Sequence, residues 1–249
     1  MAWGNFLTLP CPYKRWDSKL KNLMLAFLPS VGAVAGGLWA LIAFGLAKYE
    51  APVYLSALVM SFFIFAVCGF MHLDGFMDCN DAILSRRPLE DRQRILKDST
   101  VGAFAVVTAI FLILAWFAAT ATLFDGAVYD EVIGGIFLIP IVGRFGSATA
   151  VLNYEPLSVS QYAEDHKEKV PARYTVASIV ELIVYFGIVT AILGFVSTRI
   201  LITMGVGLVA YYFACLNGRK QLGGMNGDIA GYSLCISELC AMIALSLVA

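Results

Sequence analysis

The segment APVYLSALVMSFFIFAVCGFMHLDGFMDCNDA, residues Ala51–Ala82, joins an apolar run to a cluster of acids. Its first twenty residues, Ala51–Phe70, carry no charge, and a helix needs about 20 apolar residues to cross a hydrocarbon core about 30 Å thick. The next twelve residues contain one histidine and three aspartates, His72, Asp74, Asp78 and Asp81. Ionisable groups next to a membrane span are costly and usually functional. The segment therefore predicts a membrane fold with a site at one membrane face.

The composition of the whole chain agrees with a membrane protein. Of its 249 residues, 60% are hydrophobic and 14% are charged, whereas soluble domains usually carry about 25% charged residues. The net charge of −1 does not favour nucleic acid as a partner. We predict an all-α, polytopic integral membrane helix bundle in contact with lipid, forming a single transmembrane domain over residues 1–249.

About seven transmembrane helices are expected. The candidate spans are Leu23–Ala47, Pro52–Met71, Gly102–Phe124, Val132–Leu152, Tyr174–Val196, Ile200–Leu216 and Ile229–Ala249. Fourteen lysines and arginines fall in the N-terminal segment and in the loops after spans two, four and six, whereas the opposite side has Lys48 and Arg199. Because positively charged loops stay in the cytoplasm, we predict that the N-terminus and the acidic cluster are cytoplasmic.

The spacing of the three aspartates favours a metal site. If span two continues as a helix past His72, Asp74, Asp78 and Asp81 share one helix face, and His72 lies roughly opposite. Stacked carboxylates repel one another, and a divalent cation removes that cost. Oxygen ligands of this kind suit Mg²⁺ or Mn²⁺. Gly75, next to the first aspartate, would let a backbone or a phosphate approach closely.

Two further segments bring polar groups to the same membrane face. Asp98 and Ser99 stand at the start of span three, and a glycine-rich stretch with Gly224 and Gly227 precedes Asp228 at the start of span seven. Amides of such a loop can bind phosphate. Simpler interpretations remain open: the aspartates as solvated acids, the glycines as helix-packing residues and Asp228 as a plain N-cap.

Three charged residues lie within the predicted spans. Arg144 in span four has Glu238 in span seven as a pairing partner, and Glu181 in span five is expected only to extend its carboxylate to the membrane surface. His72 could contact a substrate, or it could sit at the interface and donate to a carbonyl.

Three motifs together resemble the cobalamin synthase family, the adenosylcobinamide-GDP ribazoletransferases. They are HLDG-x-x-D-x-x-D from His72, D-S-x-x-G from Asp98 and GG-x-x-GD-x-x-G from Gly223. Their order and spacing are similar to the family pattern over nearly the whole chain. Three features depart from that pattern. Thr100 stands where an arginine often follows the Asp-Ser pair, the loop after span four reads NYEPLSVSQYAEDHK, and Cys235 replaces an acid expected near the middle of span seven. These departures leave the metal-binding aspartates in place and concern substrate contact.

The resemblance implies a multi-pass enzyme of the cytoplasmic (inner) membrane, with its active site on the cytoplasmic side. It would use Mg²⁺ to join adenosylcobinamide-GDP to α-ribazole or its 5′-phosphate and release GMP, late in cobalamin (vitamin B12) biosynthesis. A homo-oligomer, or an association with other enzymes that assemble the nucleotide loop, is left open.

The resemblance also implies roles for individual residues. The metal-binding acids would be Asp74, Asp78, Asp81, Asp98 and Asp228. The catalytic candidates are Asp81, our first choice as proton acceptor, Asp78 and His72. The substrate-binding candidates are Gly75, Ser99, Arg144, Gly224, Gly227 and Glu238.

Two other functions compete with this one. The spacing of Asp74, Asp78 and Asp81 is also similar to that of CDP-alcohol phosphotransferases of phospholipid synthesis, but Cys79 stands where their pattern requires arginine. A cation-coupled transporter would place its carboxylates near the membrane midplane, often within inverted repeats. Here the acids gather at one face, and no repeat is evident in the sequence.

Overall fold

Eleven α-helices make up most of the described chain. The computed structural model describes residues 1–11, 13, 16–126, 128–157 and 170–249. The helices are α1 (Ala2–Phe6), α2 (Lys21–Ala26), α3 (Leu28–Lys48), α4 (Val53–Ala66), α5 (Met71–Leu84), α6 (Leu89–Ile95), α7 (Ala103–Asp125), α8 (Asp130–Asn153), α9 (Arg173–Leu193), α10 (Thr198–Leu222) and α11 (Gly227–Val248). Within these residues no strand forms, apart from an isolated bridge between Pro156 and Met225. The predicted all-α fold is confirmed.

Six of the described helices, α3 and α7 to α11, are long and apolar enough to cross a membrane. Helices α4 and α5 pass the same test only as a pair, which raises the number to seven if the pair is one span. The chain is therefore a multi-pass membrane helix bundle, as predicted. Four of the basic residues that predict its orientation lie outside the described residues, namely Lys14, Arg15, Lys167 and Lys169.

The second predicted span differs from expectation because its helix breaks before the acidic motif. Helix α4 ends at Ala66, and α5 begins at Met71 with its axis turned by 84°. Between them, Gly69 and Phe70 have φ angles of 61° and 60°. A right-handed helix cannot continue through residues in the left-handed conformation. Glycine adopts this conformation freely, and phenylalanine adopts it rarely. The three aspartates therefore lie on a separate helix instead of prolonging a straight span.

The N-terminal segment stabilises this break. The backbone N–H of Thr8 donates to the Val67 carbonyl at 2.9 Å. The Thr8 hydroxyl lies 3.2 Å from the carbonyl oxygens of both Ala66 and Val67. Because the last carbonyls of a helix have no partner inside it, Thr8 satisfies groups that the break exposes. The N-terminal segment is thereby tied to the end of α4, at the break before α5.

Helix α8 lies at the centre of the bundle and contains a buried arginine. Arg144 is only 2% exposed, and its Nη1 lies 2.8 Å from Oε1 of Glu238 on α11. The guanidinium also donates to the Pro140 carbonyl and to Cys68 Sγ, at 3.1 and 2.8 Å. The predicted pairing is confirmed. Since an unpaired charge in the membrane interior is costly, this pair fastens α8 to α11.

Glu181 of α9 is also held by the protein. Its two carboxylate oxygens accept hydrogen bonds from the backbone N–H and the hydroxyl of Ser30, at 3.0 and 2.9 Å. The Ser30 hydroxyl also lies 3.0 Å from that of Tyr185. The expectation that Glu181 only extends to the membrane surface is wrong, because the first turn of α3 binds its carboxylate and joins α9 to α3.

We expect Glu238→Ala to destabilise the protein strongly, because it leaves Arg144 buried without its carboxylate. Breaking one partner of a buried pair costs about 3–5 kcal/mol. The double variant Arg144→Met/Glu238→Met should recover much of the loss. Thermal unfolding in detergent measures both effects. The matched control is Asp91→Ala, which removes an exposed pair with Arg94 and should cost about 1 kcal/mol or less. Equal stability of the Glu238 and Asp91 variants would contradict the structural role of the pair.

Candidate active site

A cavity of about 730 Å³ brings together acids from two distant parts of the sequence. Asp74 and Asp78 of α5 line it, and so does Asp228 from the first turn of α11. Asp74 is exposed, whereas Asp78 and Asp228 are half-buried. The three carboxylates carry like charge and line the same cavity. The cavity therefore has one strongly acidic wall.

Two glycines let α5 and α11 pack closely enough to form this wall. A Cβ added at Gly75 would lie 2.9 Å from both Cα and the carbonyl oxygen of Asp228. A Cβ at Gly231 would lie 3.1 Å from the His72 carbonyl oxygen. Phe76 and Tyr232 stack across the same contact, with ring centroids 5.8 Å apart. The sequence predicts that a backbone or a phosphate approaches Gly75 closely. In the structure it is the backbone of Asp228, and this contact places Asp228 beside Asp74.

The start of α11 orients Asp228. Asn226, and not Asp228, is the N-cap, because its Oδ1 accepts a hydrogen bond from the Ile229 N–H at 2.9 Å. The Asn226 amide also donates to Asp228 Oδ2 at 2.7 Å. Asp228 is thus free of the capping role and presents its carboxylate at the positive end of the helix, where negative charge is favoured.

The donor set of the acidic wall fits Mg²⁺. Among the described residues no group of three histidine, cysteine or acidic side chains is arranged to hold a metal ion by itself. Mg²⁺ does not require such a group, because it is commonly bound by one or two carboxylates together with substrate phosphates and waters. The oxygens of Asp74, Asp78 and Asp228 on one cavity provide this kind of partial site.

Asp81 takes a different position from Asp74 and Asp78. Its carboxylate lies against Gly102, the N-cap residue of α7, and Asp81 is not part of the described cavity lining. A side chain at position 102 would meet both carboxylate oxygens. Asp81 therefore faces the positive end of α7, which stabilises a carboxylate. The metal-binding and catalytic roles predicted for Asp81 stay predictions.

Asp98 and Ser99 lie on the surface, outside the described cavity lining. The Asp98 carboxylate accepts hydrogen bonds from the Thr100 hydroxyl and backbone N–H, at 2.7 and 2.9 Å. These bonds lower the pKa of the Asp98 carboxyl, since they stabilise its charged form. The structure thus uses Asp98 to shape the turn before α7, and it does not bring Asp98 to the acidic wall.

His72 and Arg144 border the cavity, but Glu238 does not belong to its lining. The carbonyl oxygen of His72 lies 3.3 Å from Cys235 Sγ, which donates to it. Arg144 lines the cavity and also forms the buried ion pair with Glu238. Glu238 therefore reaches the cavity only through Arg144, as a group that holds the arginine in place.

The two glycines of the C-terminal loop occupy different environments. Gly227 lines the cavity and faces open space. Gly224 instead packs against the segment before residue 158, where an added Cβ would lie 2.6 Å from Leu157 Cα. The neighbouring Met225 N–H donates to the Glu155 carbonyl at 2.9 Å. This part of the loop is therefore committed to packing, whereas Gly227 leaves room for a ligand.

A second wall of the cavity was not predicted from the sequence. It comes from the N-terminal segment, with residues Asn5, Phe6, Trp16 and Lys21, and Lys97 adds another cation. None of the three motifs covers these positions. The segment is brought to the site by Thr8 at the α4–α5 break, by the bond from Asn5 to Met24 and by the burial of Leu7 against α3. The mixture of aromatic and basic residues before the first span was the available signal.

Comparisons with known proteins agree over nearly the full length. A family model described as cobalamin-5-phosphate synthase matches residues 1–246. An adenosylcobinamide-GDP ribazoletransferase of Clostridium perfringens is 34% identical over 100% of this chain and 96% of its own length. Proteins of the same name from Clostridium botulinum and Halalkalibacterium halodurans are 31% and 30% identical, over 98% and 90% of this chain and 94% and 85% of their own lengths. No solved structure matches the chain.

The three motifs, the helical membrane fold and the full-length matches agree with one another. The matched range includes both walls of the cavity and the buried ion pair. The chain belongs to the cobalamin-5-phosphate synthase family.

Proposed function

We propose that the protein is a membrane-embedded, Mg²⁺-dependent adenosylcobinamide-GDP ribazoletransferase. It would join adenosylcobinamide-GDP to α-ribazole, or to its 5′-phosphate, in a late step of cobalamin biosynthesis. The observation that carries the proposal is the convergence of Asp74, Asp78 and Asp228 on one cavity. Family membership and the names of the relatives support the same activity.

The proposed reaction is a substitution at the phosphorus attached to cobinamide. A ribose hydroxyl oxygen of the acceptor forms a new bond to that phosphorus. The bond from phosphorus to the bridging oxygen of the diphosphate breaks, and its electron pair leaves with GMP. The hydroxyl proton passes to a carboxylate of the enzyme. Transfers of this kind depend mainly on positioning and charge neutralisation.

The acidic wall would hold Mg²⁺ through Asp74, Asp78 and Asp228. When bound, the ion neutralises negative charge on the diphosphate and on the departing GMP. Asp81 lies against Gly102 instead of lining the cavity. The proton acceptor would therefore be a carboxylate of the acidic wall, with Asp78 our candidate, through an oxygen that does not bind the ion. Lys97 and Arg144 line the same cavity and complement phosphate charge.

The size of the cavity limits which part of the substrate it encloses. Cavities of about 300–1,000 Å³ hold drug-sized ligands, and this one measures about 730 Å³. A complete corrinoid with its nucleotide is much larger than such ligands. The cavity therefore takes the diphosphate and nucleoside end of the reacting pair, and the corrin ring stays at its mouth.

We also propose that the protein lies in the cytoplasmic membrane with its acidic wall on the cytoplasmic side. The support is the bias of lysines and arginines toward the N-terminal segment and the loops on the same side. This orientation opens the cavity to the compartment in which nucleotides are made.

Replacing any acid of the cavity wall should abolish most of the transfer activity. We expect Asp74→Asn, Asp78→Asn and Asp228→Asn each to lower GMP release about 100-fold or more, because each removes charge that neutralises the diphosphate. The assay contains purified protein, adenosylcobinamide-GDP, α-ribazole and Mg²⁺. EDTA should stop the reaction, and excess Mg²⁺ should restore it.

The control for this assay is Glu90→Gln on the exposed surface of α6, which should retain normal turnover. Near-normal GMP release by the Asp74 or Asp78 variant would refute the proposed site.

Release of CMP from CDP-diacylglycerol and small alcohols, without GMP release from the corrinoid, would instead indicate a CDP-alcohol phosphotransferase. Ion flux in proteoliposomes without corrinoid chemistry would indicate a transporter.

The orientation can be measured by cysteine labelling in intact cells. Glu90 and Asp125 are both exposed and lie at opposite ends of the α7 span. A membrane-impermeant maleimide should label Asp125→Cys from outside, and it should label Glu90→Cys only after the cells are permeabilised. The unsubstituted protein gives the background from its own cysteines. Labelling of Glu90→Cys in intact cells would reverse the proposed topology.

A further inference from the structure

The N-terminal segment supplies a wall of the cavity whose chemistry differs from that of the acidic wall. Phe6 and Trp16 contribute aromatic surface, and Asn5 and Lys21 contribute polar groups. The acids enter the same cavity from α5 and α11. A ligand in this cavity therefore has carboxylates, suited to a metal-bound phosphate, on one side and aromatic rings on another.

This wall has a defined position. Thr8 binds the exposed carbonyls at the end of α4, and the Asn5 amide donates to Met24 Sδ at 3.1 Å. Met24 and Leu25 of α2 are buried in the main core. Residues 5–8 of the segment are thus attached to the break that starts α5 and to the helix that precedes α3.

Of the two aromatic side chains of this wall, Trp16 is the more open to a ligand. It is 62% exposed although it lines the cavity. Asp17 directly after it caps a 3₁₀ turn by accepting a hydrogen bond from the Lys19 N–H at 3.0 Å, which fixes the chain direction there. No ring of another described aromatic residue stacks on the indole. Its π-face is available to a planar partner.

We propose that Trp16 is the stacking platform for the planar base of a nucleoside-containing substrate. The inference rests on the proposed function and deepens it, because both proposed substrates include a base attached to ribose. Stacking on an aromatic side chain contributes substantially to the binding of such bases. The base is either that of α-ribazole or the guanine of the GDP group, and the two substrates can be varied separately.

An exposed tryptophan near a membrane can instead serve as an interfacial anchor. Trp3 is a matched residue for that role. It lies on the same N-terminal segment and is 38% exposed, and its indole N–H donates to the Leu9 carbonyl at 3.4 Å. Trp3 is not part of the described cavity lining. An anchoring function would make the two tryptophans behave alike, whereas base stacking would separate them.

The test is steady-state kinetics with Trp16→Leu, Trp16→Phe and Trp3→Leu in the full-length protein. We expect Trp16→Leu to raise one KM about tenfold, with little change in kcat, because the loss of a stacked base weakens binding by about that factor. Trp16→Phe keeps a smaller ring and should fall between the wild type and Trp16→Leu. Trp3→Leu should leave both KM values unchanged.

The KM values for the two substrates, compared between wild type and Trp16→Leu, identify which base stacks on Trp16. A higher KM for α-ribazole assigns the stacked base to the acceptor. A higher KM for adenosylcobinamide-GDP, together with weaker binding of GMP in equilibrium dialysis, assigns it to guanine and not to the adenine of the adenosyl group. Unchanged KM values in both Trp16 variants overturn the inference, and so does an equal effect of Trp3→Leu. Thermal unfolding shows whether the Leu variant is folded, and the Phe variant carries the test if it is not.

Failure of the inference can be separated from failure of the proposed function. If the wild type releases no GMP with its substrates and Mg²⁺, the proposed function fails. Equilibrium dialysis of α-ribazole and of GMP against wild type and Trp16→Leu still measures base binding. Equal affinity of both proteins for both probes overturns the stacking role, and a loss of about tenfold for either probe supports it.

Discussion

The close contact between α5 and α11 is the constraint on which the site depends. The backbone of Asp228 occupies the space in which a side chain at position 75 would lie, and the backbone of His72 does the same at position 231. Only because both positions are glycine can the acids of the two helices share one cavity. The 84° turn between α4 and α5 directs α5 into this contact, and Thr8 completes the hydrogen bonding of the turn.

Charge is segregated around this contact. The acids line one wall of the cavity, and cations and aromatic rings line the others. The buried pair of Arg144 and Glu238 fastens α8 to α11 behind the same wall. Repulsion among the acids is a cost in the ligand-free protein that a divalent ion would remove, and the same ion would let an anionic phosphate approach the acids. Under the proposed function, this arrangement would couple binding of the metal ion to binding of the diphosphate.

Much of this architecture could be predicted from the sequence, because apolar run length and acidic spacing are local signals. The spans, the acidic motif and the pairing of Arg144 with Glu238 belong to this class. The helix break could not be predicted, since the left-handed conformation of Phe70 depends on tertiary contacts. The separation of Asp81 from the acidic wall could not be predicted either. Helical spacing shows that residues share a helix face, but it does not show what packs against each of them. The place of Trp16 depends on docking between distant segments, for which the sequence holds no periodic signal.

The central claim is that carboxylates of α5 and α11 hold one divalent ion, and Mn²⁺ binding measured by electron paramagnetic resonance tests it most directly. Mn²⁺ has the ligand preferences of Mg²⁺, and GMP can supply phosphate oxygens. We predict that wild-type protein binds Mn²⁺ in the presence of GMP, and that Asp78→Asn and Asp228→Asn each weaken the affinity about tenfold or more. Wild-type affinity in the Asp228 variant would contradict the claim, because α11 would then take no part in the site.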